Sequence, residues 1–142
     1  MTIFQPARAQ APARWIARGI LAAVYVPFGF LHVLATDRFL PIMPAWVPAP
    51  HAIIVFTGLC EIFGGLGLIL PITRWWAGVM LAAYAVCVFP ANLHHALDGA
   101  TVPGLPSSWW YHAPRLAFQP VFVWWALYAG GVIDWPFGRK RP

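Results

Sequence analysis

The chain has 142 residues, 61% of them hydrophobic and only 9% charged, whereas a soluble domain carries about a quarter charged residues. So few charges cannot solvate the surface of a small globule, which excludes an ordinary water-soluble fold and makes lipid the expected solvent. The net charge of +5 does not point to nucleic acid, because the basic residues stand at the ends of apolar runs rather than on one face.

A bilayer core takes about 20 helical residues to cross, and four runs meet that length, at about 15–35, 51–70, 75–97 and 113–133. The expected fold is therefore all-α, an integral membrane four-helix bundle forming one domain over 15–135. It is flanked by a mobile tail at 1–14 and a basic tail at 136–142. The first run ends in Val33-Leu34-Ala35, which resembles a leader cleavage site, but it is longer than a signal core and is read as a retained helix. The next segment, TDRFLPIMPAWVPAP, holds Pro41, Pro44, Pro48 and Pro50. That density of proline excludes a regular helix and predicts a structured loop on or in the outer interface.

The second run carries Glu61 at its centre, roughly 15 Å below His51 and so near the midplane. Gly58, Gly64 and Gly65 share its face, which lets another helix or a ligand approach the carboxylate. The third run brings Asn92, His94 and His95 to the outer end. The fourth is expected to start near Pro114, with His112, Arg115 and Gln119 aligned in its first turns. On the first run Tyr25, Gly29 and His32 align. Nearly every intramembrane polar group thus falls in the outer half, and the four faces can converge on one pocket. Pro27, Pro90 and Pro120 lie inside three of the runs, and each frees a carbonyl that needs a new partner.

An intramembrane charge marks a functional site by default, and Arg115 is the expected partner of Glu61. Gln119 and Asn92 taken alone read as glue between helices. His94 and His95 point about 100° apart on a helix, and no metal site is assigned. Cys60 and Cys87 form no CxxC motif and read as buried filler. With four spans the N-terminus, the middle turn and the C-terminus share one side. That side carries Arg8, Arg14, Arg18, Arg74, Arg139, Lys140 and Arg141, so the positive-inside rule predicts both termini in the cytoplasm. Trp15, Trp75, Trp76, Trp109, Trp110 and Trp135 fall near span ends, as an aromatic belt requires.

The ordered segments FGFLHV, FLPIMPAWVP, TGLCEIFGGLGLILP, VFPANLHHAL and PRLAFQPVFVWWAL, across roughly 25–128, resemble the DoxX-like family of small bacterial membrane proteins (the DoxX/DoxD superfamily). The recurrent polar positions of that family fall on His32, Glu61, Asn92, Arg115 and Gln119. The chain departs from it in having His94-His95 where members often have a methionine region. The resemblance implies a four-helix bundle of the cell (inner) membrane. By analogy with the small membrane subunit of thiosulfate:quinone oxidoreductase, it also implies a redox setting.

The combined expectation is a membrane subunit or anchor of a redox system with a pocket for a quinone or a similar small amphipath. Glu61 would exchange the proton, Arg115 would set its charge state, and His32 would be the second proton carrier. Tyr25, Phe28 and Trp46 would stack the ring, with Asn92, His95 and Gln119 as further ligand contacts. No covalently bound cofactor is expected. Partners would be the lipid bilayer, soluble or membrane redox subunits, or further copies of the chain in a homo-oligomer. Whether the chain is itself an oxidoreductase subunit in the catalytic sense stays open. The alternatives are a scaffold whose polar seam only fixes packing and a small transporter, the latter disfavoured by the lack of a visible inverted repeat.

Overall fold

A computed structural model describes residues 12–99 and 101–136, and every regular element among them is helical. Five α-helices follow in order: α1 (Pro12–Leu34), α2 (Pro50–Ile69), α3 (Arg74–Leu97), α4 (Trp109–Ala117) and α5 (Gln119–Gly130). The first three are long and apolar enough to cross a membrane. Large apolar side chains cover their outer faces, including Ile16, Ile20, Phe63, Leu66 and Val86. This is the build of a membrane protein, since a soluble monomer rarely shows so much continuous apolar surface. The tail expected at 1–14 is helical from Pro12 onward, while 1–11 and the residues after 136 lie outside the described part.

The fourth expected helix is the main correction. It starts at Trp109 rather than near Pro114, and it is interrupted at Phe118. Pro120 explains the break, because its ring has no N–H to give to the carbonyl one turn back and clashes with it. Helical bonding continues on either side, with Phe118 N–H to the Pro114 carbonyl at 2.8 Å and Phe122 N–H to Phe118 at 2.9 Å. Pro120 therefore sits in the first turn of α5 rather than in the middle of one continuous helix. The end comes before the expected 133, because Gly131 takes a left-handed conformation (φ 79°) and its N–H returns to the Leu127 and Tyr128 carbonyls.

α1 lies along α2 and α5 along α3, with α2 and α3 joining the two pairs. Backbones touch where glycines permit it. A Cβ on Gly29 would stand 2.5 Å from the Gly58 carbonyl oxygen, and one on Gly78 would stand 2.8 Å from Gly130 Cα. At the end where α1 begins, the fully buried Arg18 gives its Nε–H to the Ala129 carbonyl at 2.7 Å, and Arg14 pairs with Asp134 at 2.6 Å. These arginines, legible in sequence only as topology markers, latch α1 to the end of α5. A cation there also suits the negative end of the helix dipole. One apolar core, with Leu21, Leu68, Leu81 and Ala126, fills this half.

The opposite end is closed by the proline-rich loop. It forms two short 3-10 turns, Thr36–Arg38 and Leu40–Ile42. Phe39 and Ile42 pack with Ile54 and Val102 as a second, smaller core. Ala49 then turns left-handed (φ 46°) to launch α2, a conformation that costs a non-glycine residue about 1 kcal/mol. The expected structured loop is present, and it roofs the space described below.

Glycine contacts of this kind make a directed prediction. Gly29→Ala should lower the thermal midpoint in detergent by the equivalent of about 1–3 kcal/mol, the usual penalty of overpacking. Gly19 has open space around its missing Cβ, so Gly19→Ala should be neutral or stabilise by up to about 1 kcal/mol. Equal effects at the two positions would contradict the packing.

Candidate functional site

Glu61 is 4% exposed and needs partners, since an unpaired buried carboxylate is costly. It has two. His32 Nδ1 lies 2.5 Å from Oε2, and the Tyr84 hydroxyl donates to Oε1 at 2.6 Å. α1, α2 and α3 thus meet at one carboxylate. The expected Glu61–Arg115 pair is not formed. Arg115 Nη1 instead donates to His95 Nδ1 at 3.0 Å, and Nη2 donates to Asn92 Oδ1. The reason is reach. Asn92 and His95 stand on the last turns of α3, across from the last turn of α4, whereas Glu61 lies deeper and is already enclosed by nearer donors.

Arg115 can only donate, which assigns His95 as the tautomer carrying its proton on Nε2. His95 is 1% exposed and stacks edge-on against His112, with ring centroids 4.7 Å apart. It does not line the cavity. The expected ligand contact is therefore a support standing behind Arg115. His94 turns away to Asp98 at 3.1 Å, in keeping with adjacent helical positions. Among the described residues no cluster of three or more metal-ligating side chains forms.

Gln119 completes the polar layer at this end of the bundle. Its Nε2 donates to the Ala85 carbonyl, and its Oε1 accepts from Asn92 Nδ2 at 3.3 Å. Ala85 adjoins Val86, whose carbonyl loses its helical donor to Pro90. The side chain from α5 therefore meets α3 where proline has opened it.

Between these groups lies a cavity of about 620 Å³. Glu61, His32, Tyr84, Asn92, Arg115 and Gln119 all line it, together with the expected aromatics Tyr25, Phe28 and Trp46. Tyr25 is buried and edge-on to Tyr84, with centroids 5.9 Å apart. Trp46 belongs to the roof loop and is 72% exposed. Half-exposed Ile20, Val24 and Phe28 on α1 form an apolar side to the cavity that continues onto the outer surface of the bundle. Tyr84 is the residue that sequence reasoning missed. Its signal was present, since nine residues beyond Trp75 puts it roughly 14 Å along α3, the depth of Glu61.

The chain matches, over residues 21–129, the family described as a domain of unknown function (DUF8561), and it belongs to that family. No curated protein and no solved structure matches it.

The two arrangements of Glu61 make opposite predictions for double variants. Glu61→Gln and His32→Gln should be strongly coupled in thermal stability, with an interaction of at least about 1 kcal/mol, whereas Glu61→Gln and Arg115→Gln should add within about 0.5 kcal/mol. Coupling to Arg115 and additivity with His32 would restore the pairing expected from sequence.

Proposed function

We propose that the protein is a four-helix bundle of the inner membrane, with both termini in the cytoplasm, that binds a small amphipath in the outer half of the bundle. α4 and α5 together act as the fourth span in this reading. The observation that carries it is the cavity itself. A carboxylate with two donors stands on one wall, a guanidinium and two amides on another, and an aromatic roof lies above. Sites for small molecules have volumes of about 300–1,000 Å³, mostly apolar walls and a few convergent polar groups.

The specific reading is a quinone site in the membrane subunit or anchor of a redox system, as the likeness to the DoxX-like family implies. Glu61 would exchange a proton with the hydroxyl of the reduced, quinol form of the ring, and the Tyr84 and His32 contacts hold its two oxygens in place for that transfer. His32 would carry the proton onward. Phe28 and Trp46 would flank the ring. Electron transfer would belong to a partner subunit. The orientation is supported by the gathering of Arg14, Arg18 and Arg74 at one end of the bundle and by the exposed tryptophans near both ends. A scaffold role has one observation in its favour: the Asn92–Gln119–Ala85 chain is satisfied entirely within the protein.

The ligand reading predicts that a quinone analogue protects the roof. Added to protein in detergent, it should slow proteolysis and amide exchange over 39–48, and Tyr25→Ala should remove the protection. A native extract should also retain quinone in its mass spectrum. Protection absent with every analogue, together with an empty extract, would leave the scaffold reading.

Topology has its own check. Cysteines introduced at Asp98 and Arg139 should differ in intact cells, with only position 98 reacting with an impermeant reagent. Labelling of 139 alone would invert the orientation.

A further inference from the structure

Four acidic side chains occur in the whole sequence, Asp37, Glu61, Asp98 and Asp134. None of them pairs with Arg115, and Glu61, Asp98 and Asp134 have close partners of their own. Asp37 faces His51, Glu61 holds His32, Asp98 holds His94 and Asp134 holds Arg14. No acidic side chain is left for Arg115, whose two bonded partners, an amide oxygen and an imidazole nitrogen, carry no negative charge. A guanidinium has five N–H donors, and those two bonds use one each. Arg115 lines both the cavity and a shallow hollow beside Trp110 and Phe118, and its guanidinium lies over the Tyr111 ring at 5.6 Å from the centroid, a contact that supplies no anion. A cation in the outer half of an apolar bundle, fixed in place by Asn92 and His95 but without a counter-ion, is an anion site in its electrostatics.

The apolar side of the cavity defines the rest of the ligand. Ile20, Val24 and Phe28 lead from the polar layer to the outer surface of α1, which in a bilayer is the acyl-chain region. We infer that the cavity takes a monoanionic amphipath, a carboxylate or an equally acidic head on a single chain or ring, with the head on Arg115 and the apolar part along α1. The inference rests on the cavity being a ligand site for a small amphipath, and it assigns that amphipath an anionic head in place of the neutral quinone ring. A glycerophospholipid with an anionic headgroup shares the charge, and the test below separates it from a free single-chain acid.

The test uses the full chain in nanodiscs of zwitterionic lipid, with a fluorescent polyene fatty acid and its methyl ester as probes. The acid should bind at least about tenfold more tightly than the ester, as expected for one charge-assisted contact. Arg115→Gln should abolish that preference while leaving ester binding in place, and Arg115→Lys should keep part of it. If the Arg115 variants fail to fold, the comparison of acid, ester and a cationic alkylammonium on the unaltered protein decides alone, with the order acid, ester, cation expected. Equal binding of acid and ester would overturn the inference. So would displacement of the acid by phosphatidylglycerol added to the nanodisc as effectively as by free acid, which would make lipid the occupant. A neutral quinone analogue that binds as tightly as the acid would also overturn it while leaving the quinone reading intact. Failure of acid, ester and quinone alike would remove the ligand site itself.

Discussion

The distance between α1 and α2 is the constraint on which the rest depends. It is set by Gly29 against Gly58, where any side chain would collide with backbone. The two helices run antiparallel, and helical side chains lean toward their own N-termini. His32 therefore leans toward the start of α1 and Glu61 toward the start of α2, so the two approach each other across the bare glycine contact and meet at 2.5 Å. With larger residues at 29 and 58 the helices would stand apart and the carboxylate would lose a partner. Burial of that carboxylate is tolerable only because α1 and α3 both deliver a donor to it. The same bonds then fix three helices in rotation about their axes.

The two halves of the bundle are built on different terms. Around Leu68, Leu81 and Ala126 the helices close on small residues, and Arg18 and Arg14 tie α1 to the end of α5. Toward the other end, two prolines interrupt the walls. Pro90 removes a helical bond from α3, and Pro120 separates α4 from α5 at Phe118, just before Gln119. Gln119 reaches across to the Ala85 carbonyl at the level of the first break. Amide and guanidinium groups thus hold the helices together where regular helical bonding and tight packing give way. The cavity lies in this half, between the two apolar cores and beneath the roof loop.

Much of this was legible in the sequence, for physical reasons that can be named. Hydrophobic run length located α1, α2 and α3 within a few residues, because crossing hydrocarbon demands a fixed length. Depth counting brought His32, Glu61, Asn92, Arg115 and Gln119 to one region, and all five line the cavity. Pairing was not legible. Choosing Arg115 for Glu61 relied on opposite charge, but helix rotation and the N-terminal lean of side chains decide contacts, and they gave Glu61 a histidine and a tyrosine. Tyr84 was overlooked because tyrosine inside a span reads as apolar filler. The split at Phe118 was masked by uninterrupted hydrophobicity across Pro120, and Arg18 was read as a topology marker although its guanidinium is enclosed.

Whether the polar layer is only adhesive turns on which of its groups are fully used. Glue between helices requires each polar atom to find a partner inside the protein, and it gives no reason for a void. Glu61 meets that description with both oxygens engaged, and the neutral Asn92 and Gln119 each bond through their oxygen and one N–H. Arg115 does not. Its positive charge has no counter-ion among the acidic side chains of the sequence, and three of its five donors remain beyond the two bonds it makes. A structural seam could do without that charge, since a neutral glutamine at 115 could still bond Asn92 and would avoid the desolvation of a guanidinium. Retaining an arginine beside a cavity is better explained by something that enters the cavity and accepts those donors. The scaffold reading therefore accounts for most of the seam, and the residue it leaves over is the one that argues for a ligand.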